Sequence, residues 1–166
     1  MPLTATLAAS VIADQSAAID LGTVAFPLRK YATATLANGT GANQVDRLWT
    51  DTRTVAGSGT DALDLAGSLV DAFGTTITFV KLKAVLITAA AGNTNNVRVN
   101  RPASNSVPLF LAAADGIDVL PGGLFMWVAP GAGITVTPTT GDLLNVDNSG
   151  AGTSVTYDIV LVGTSA

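Results

Sequence analysis

All twelve acidic side chains of this 166-residue chain are aspartates, and it contains neither histidine nor cysteine. The pairs Asp61/Asp64, Asp115/Asp118 and Asp142/Asp147 are therefore the candidates for metal binding or acid–base work. Calcium would draw on Asp147, Asn148 and nearby carbonyls, because hard cations take oxygen ligands. The spacing of an EF-hand is missing, however, and an Asp beside a strand ordinarily caps a turn through its own backbone. Two opposed carboxylates would suit glycoside hydrolysis, yet nothing in the spacing sets such a pair apart. Without His or Cys, imidazole bases, thiolate nucleophiles, zinc sites with nitrogen or sulfur ligands and disulfides all drop out.

Other chemistry-bearing patterns are weaker. The triplets Gly39-Thr40-Gly41, Gly57-Ser58-Gly59 and Gly131-Ala132-Gly133 lack the strand–helix context of a nucleotide site, and no Walker lysine motif occurs. Trp49 and Trp127 would offer a sugar-stacking platform, but each sits in an apolar strand, where aromatics usually serve the core. Asp51 and Arg53 lie two apart and can pair along a strand as a partly exposed ion pair worth about 0–1 kcal/mol. Asn38-Gly39-Thr40 is a glycosylation sequon, given little weight because no basic-then-apolar leader opens the chain. We expect no catalytic, cofactor-binding or metal-ligating residue.

The elements that would position these residues read as strands. Asp favours turns where Glu favours helices, and Gly numbers 17. From Thr75 to Val99 the spacing predicts a central hairpin, with Ile77, Phe79, Lys81, Lys83, Val85 and Ile87 on one face of its first strand. Ala89 to Asn96 is the turn and Val97 to Val99 the return strand. Phe79 and Trp127 are expected in the core. Tyr31 to Ala37 alternates and ends in Asn38-Gly39, a strong hairpin signal, so it should pair with the strand from Val45 to Val55. Further strands are expected at Thr60–Leu65, Val107–Leu111, Ile117–Leu120, Leu124–Val128, Ile134–Thr137, Leu143–Val146 and Thr153–Val162. The last of these places Val155, Tyr157, Ile159 and Leu161 on one face. Strands at about 8–12-residue spacing with Gly, Pro and Asn turns predict a sandwich or barrel.

The first thirty residues show no sustained period. They are read either as a first strand plus loop, with a short helix at Thr4–Ile12 as a further option, or as an arm ordered against a neighbouring subunit. Phe26-Pro27 marks a break. The expected division is an arm or first strand over 1–30 and an antiparallel, jelly-roll-like β-sandwich over 31–166. Charged residues make up 12% and apolar residues 48%, so few charges remain to solvate the exterior and other protein should cover part of it. The formal net charge of −4 argues against nucleic acid as a partner. No run is long enough and apolar enough for a membrane span.

Several segments together resemble a known family: Asp51-Thr52-Arg53-Thr54, Leu63-Asp64-Leu65-Ala66-Gly67-Ser68-Leu69, Phe73-Gly74-Thr75, Ala90-Ala91-Gly92-Asn93-Thr94-Asn95-Asn96, Pro121-Gly122-Gly123, Gly141-Asp142 and the ending Tyr157 to Thr164. From Asp51 onward the chain resembles small virion structural proteins of tailed bacteriophages and prophages. The first fifty residues match less well, which is where an attachment arm would specialise. The resemblance implies a virion component, foremost a capsid decoration protein on the outer surface of the head, made in the host cytoplasm. Its partners would be its own copies, as a trimer, and the major capsid protein. The alternatives are a carbohydrate- or receptor-binding module of a head or tail fibre, or a tail or neck component.

Overall fold

The computed structural model describes residues 2–166, and among them there is no helix. In chain order the strands are β1 (Ala5–Ile19), β2 (Gly22–Asn38), β3 (Gln44–Val45), β4 (Arg47–Val55), β5 (Thr60–Asp64), β6 (Leu69–Val70), β7 (Thr76–Ile77), β8 (Lys81–Ala89), β9 (Val97–Asn100), β10 (Gly116–Val119), β11 (Leu124–Val128), β12 (Ile134–Thr135), β13 (Leu143–Asn148) and β14 (Val155–Thr164). Two antiparallel sheets form a sandwich, one in the order β11-β8-β14-β4 with β12 on the end of β8, the other β10-β9-β13-β5.

Four connections, from β4 to β5, β8 to β9, β10 to β11 and β13 to β14, each carry the chain from one sheet to the other. The two strands of each of these four pairs therefore face each other across the core. The inner faces come from strict alternation. Val155, Tyr157, Ile159 and Leu161 of β14 are fully buried, as are Leu144 and Val146 of β13, Val97 and Val99 of β9, and Val85 and Ile87 of β8. Each such side chain stabilises by about 1.5–3 kcal/mol on leaving water.

The segment Thr75–Val99 is not a hairpin. Its two strands, β8 and β9, lie in different sheets, and the Ala90–Asn96 link crosses the sandwich. Asparagine side chains there do what ladder bonds would have done. Asn93 Nδ2 donates to Thr156 O and Thr156 N donates back to Asn93 Oδ1, both at 2.9 Å. The expected alternation over 77–87 also fails at one place. β8 holds an extra residue, Lys83, opposite the Val162–Gly163 step of β14. A bulge of this kind shifts the facing side chains by one, so Leu82 and Val85 both reach the main core. Phe79 precedes β8 in irregular chain yet is fully buried. Its ring lies against Gly163, where a Cβ would come within 2.7 Å of Phe79 Cδ1.

Four further expectations are corrected. Thr4–Ile12 is not a helix but most of β1, because its alternate residues pair rung by rung with β2. Tyr31–Ala37 does not form a hairpin with the following strand. It belongs to β2, whose partner is β1, while β4 pairs with β14. The chain after Asn38-Gly39 instead doubles back to run parallel, Ala37 beside Gln44 and Asn38 beside Val45. The strand does not break at Phe26-Pro27 either, since both members of a two-stranded ribbon are edges and tolerate a missing N–H. Val107–Leu111 is not a strand but a turn segment next to the Ser106–Leu143 bridge, held by the fully buried Val107 and by Arg101, which donates to Phe110 O and Leu111 O at 2.8 Å.

Candidate functional site

β1 and β2 form fifteen antiparallel rungs, from Ala5 opposite Leu36 to Ile19 opposite Gly22, closed by Asp20-Leu21. At about 3.4 Å per residue this ribbon is about 50 Å long. Pairing fixes which residues share a face. One face holds Leu7, Ala9, Val11, Ala13 and Ile19 with Val24, Phe26 and Leu28, interrupted by Gln15 and by Lys30 opposite Val11. The other holds mostly polar residues, Thr6, Ser10, Asp14 and Ser16 with Thr23, Arg29, Tyr31 and Thr33, together with the exposed Ile12. Diagonally across it, Arg29 Nη2 sits 2.9 Å from Asp14 Oδ1.

Only the base of the apolar face is covered. Leu36 is fully buried with Val45, Ala84 and Val162, and Ala5, Leu7, Val128 and Val160 pack around them. This second core lies on the outer side of the β11-β8-β14-β4 sheet. Beyond it the ribbon stands free, with Val11 58%, Val24 55%, Phe26 64% and Ile19 56% exposed. A groove of about 690 Å³ runs between the hairpin and the sheet, walled by Leu7 and Ala9 above and by Leu48, Leu86, Leu124 and Met126 below.

The base is fixed by polar bonds as well. Leu3 N donates to Asn38 Oδ1 at 2.8 Å, Ala37 N to Asn43 O at 3.0 Å and Asn43 N to Pro130 O at 2.9 Å. Lys83, placed by the bulge and only 2% exposed, sends its ammonium into the carbonyls of Gly41, Pro130 and Gly131. Burial, with Lys81 adding repulsion, pulls its pKa below the ordinary lysine value. The loop that follows β2 is thereby tied to the loop that follows β11.

The sequence-derived candidates fall elsewhere and do not converge. Asp61, on the inner face of β5, accepts hydrogen bonds from Arg53 of β4 and from Tyr157 of β14. Arg53 also reaches Asp51 at 3.1 Å, and a shallow recess of about 380 Å³ opens over these three charges. Burial would raise the Asp61 carboxyl, but the bonds from Arg53 and Tyr157 outweigh it and hold the group below its usual value. Burial first, then the bond to Asp61, pushes the Tyr157 phenol well above its normal range, while Asp61 raises Arg53. All three move away from neutrality, where general acid–base catalysis would want them. They brace the open edge of the sandwich, with inward charge that also discourages edge pairing.

Asp64 and Asp115 cap turns, accepting from Ala66 N and Ala112 N at 2.8 Å, and Asp142 accepts from Thr139 N. Asp118 pairs with Arg98 at 2.6 Å. Asp147 bonds Asn100, while Asn148 faces the interior and is taken up by neighbouring loops. Trp49 and Trp127 stand in one row across the sheet, Trp49–Leu161–Val85–Trp127. Three strand spacings, about 14 Å, separate them, so they form no joint platform. Trp49 is buried and donates to Val70 O at 3.1 Å. Trp127 is half-buried against the main core.

The hairpin and its groove were not singled out by sequence reasoning. The available signal was the rung pattern itself, since Leu7, Ala9, Val11 and Ala13 alternate with Thr6, Ala8, Ser10 and Ile12. Comparison with known proteins finds no matching family model, no matching curated protein and no matching solved structure.

Proposed function

We propose that this chain is a virion structural protein, a decoration protein of the jelly-roll type seated on the outer surface of a phage head through the major capsid protein and through copies of itself. The observation on which this rests is the hairpin, a braced ribbon that holds an apolar face out to solvent. An isolated ribbon of two strands is marginal in water, and an exposed apolar patch of about 400 Å² is of the kind that often serves a function, which supports the reading of a surface for another protein. The strand orders β4-β14-β8-β11 and β5-β13-β9-β10, with connections that pass between the sheets, support the jelly-roll reading. The resemblance from Asp51 onward to virion proteins of tailed phages points the same way. Closed symmetry is the common solution for such self-association, and a trimer is the expected form.

The work in this reading is mechanical. Apolar area removed from water stabilises by about 25 cal/mol per Å² before association costs, and repetition over a shell multiplies it. The test is the abundance of the chain in purified virions. A copy number comparable to that of the major capsid protein supports decoration. A handful per particle would replace it with a fibre or neck role, and absence from virions would end the reading.

A further inference from the structure

We propose that the free half of the hairpin packs, apolar face down, on the outer sheet face of a second copy of this chain, over Leu86, Leu124 and Met126. The inference deepens the assembly reading above and rests on it for the premise that copies associate. Two unpartnered apolar surfaces on one chain are matched to each other. The donor is the ribbon beyond Ala9 and Ala32, where Val11, Val24 and Phe26 are all more than half exposed. The acceptor is the sheet face below the groove, where Leu124 is 68% and Leu48 43% exposed.

Within one copy the two do not meet. The hairpin packs on its own sheet around Ala5, Leu7 and Leu36, faces Met126 across open recesses as far as Ala9 and Ala32, and its remaining rungs run on past that point. The distal rungs Ala9–Ile19 with Gly22–Ala32 make a ribbon about 37 Å long and about 10 Å wide, so one face covers about 400 Å². If each copy gives one hairpin and receives one, it commits about 800 Å², the share of one partner in a standard-size interface.

Charge favours a second copy as the occupant. The hairpin strands and their turn hold Asp14, Asp20, Arg29 and Lys30, which sum to zero, so the whole −4 belongs to the rest of the chain. A neutral ribbon meets no repulsion from that acidic body. The facing strip of Leu48, Leu86, Leu124, Met126 and Val160 is apolar, Asp158 lies on the same sheet face in the row of Leu124, and Lys30 is on the donor face opposite Val11. Because donor and acceptor are different surfaces, the contact closes on itself only by reciprocal exchange or in a ring.

The chain lacks cysteine, which permits a direct test. Phe26→Cys in one preparation and Leu124→Cys in a second, mass-tagged preparation are mixed and oxidised. A disulfide joining the two different chains is expected, in clear excess over Phe26→Cys chains joined to one another. In parallel, Leu124→Asp and Phe26→Asp should each shift the light-scattering mass from oligomer to monomer. Both sites are exposed, so an unchanged far-UV circular dichroism spectrum verifies the fold. Cross-links confined to Phe26→Cys with itself, an oligomer that survives both Asp variants, or a monomeric full-length chain would each overturn the exchange. Co-sedimentation with shells is scored on the same samples, so exchange can fail while decoration stands, and the converse.

Discussion

Tyr157 Oη, on a strand of one sheet, donates a 2.7 Å hydrogen bond to Asp61 Oδ2 on the edge strand of the other. Arg53, beside Tyr157 on the neighbouring strand, closes the same carboxylate from the second side. The sandwich is thus held across its core by a polar brace at the β4–β5 edge, beside the buried Trp49, Val55 and Leu63.

Tyr157→Phe isolates one arm of that brace. The ring and its burial remain, the bond to a charged acceptor is lost, and the expected loss of stability is about 1.5–3 kcal/mol. Thermal unfolding would read this as a drop of about 3–10 °C for a chain of this length. An unchanged midpoint would mean that Arg53 alone satisfies Asp61.

The brace also dictates a pH profile. Asp61 has a depressed pKa when folded, so its contribution is present above the ordinary Asp value of about 4 and is lost as pH falls through the folded value. Tyr157 has a raised one, so its contribution is present below about 10 and declines as pH rises beyond that. Denaturant titrations should show a plateau between these limits. Asp61→Asn should cost about 1–2 kcal/mol on the plateau, between a surface and a buried pair because Arg53 is one-third exposed. The gap between variant and wild type should close below about pH 4. A constant gap at all pH values would remove Asp61 as the titrating group.

Phe79→Ala tests the second device, the ring packed against the side-chain-free Gly163. Phe79 is fully buried, and loss of transfer energy plus the cavity left behind should cost about 3–5 kcal/mol. A melting point within a degree or two of wild type would place the ring outside the core.

Strand identity was largely legible in the sequence where burial is one-sided. Val155, Tyr157, Ile159 and Leu161 are all fully buried, as their alternation requires. Partnership was not legible, because it is set by tertiary contact. Asn38-Gly39 favours a local hairpin, yet β2 gains fifteen rungs from β1 and only two, in parallel, from β3. The bulge at Lys83 was hidden for a related reason. A lysine in an apolar run reads as an outward residue, and only the carbonyls of Gly41, Pro130 and Gly131, distant in sequence, make its burial tolerable. The hairpin escaped notice because alanine occupies both of its faces and blurs the period of two.

Asn148 offers the sharpest remaining test, since it joins three of the inter-sheet connections. Its Nδ2 donates to Val55 O at 3.3 Å, Ala56 O at 3.1 Å and Thr153 O at 2.7 Å. Its Oδ1 accepts from Asn95 Nδ2 at 2.9 Å and Gly150 N at 3.2 Å. The residue is 5% exposed, so water is poorly placed to replace these bonds. Asn148→Ala should cost about 2–4 kcal/mol, several buried partners being orphaned at once. Asn148→Asp keeps the acceptor and the shape but turns an oxygen toward carbonyl oxygens, so at neutral pH it should destabilise more than alanine does. The introduced carboxyl would then have a raised folded pKa, and stability would recover as pH falls toward about 4, where the proton restores a donor. Denaturation of both variants at neutral and mildly acidic pH decides it. If Asn148→Asp equals wild type at neutral pH, the amide is not donating to these carbonyls and the three connections are held by something else.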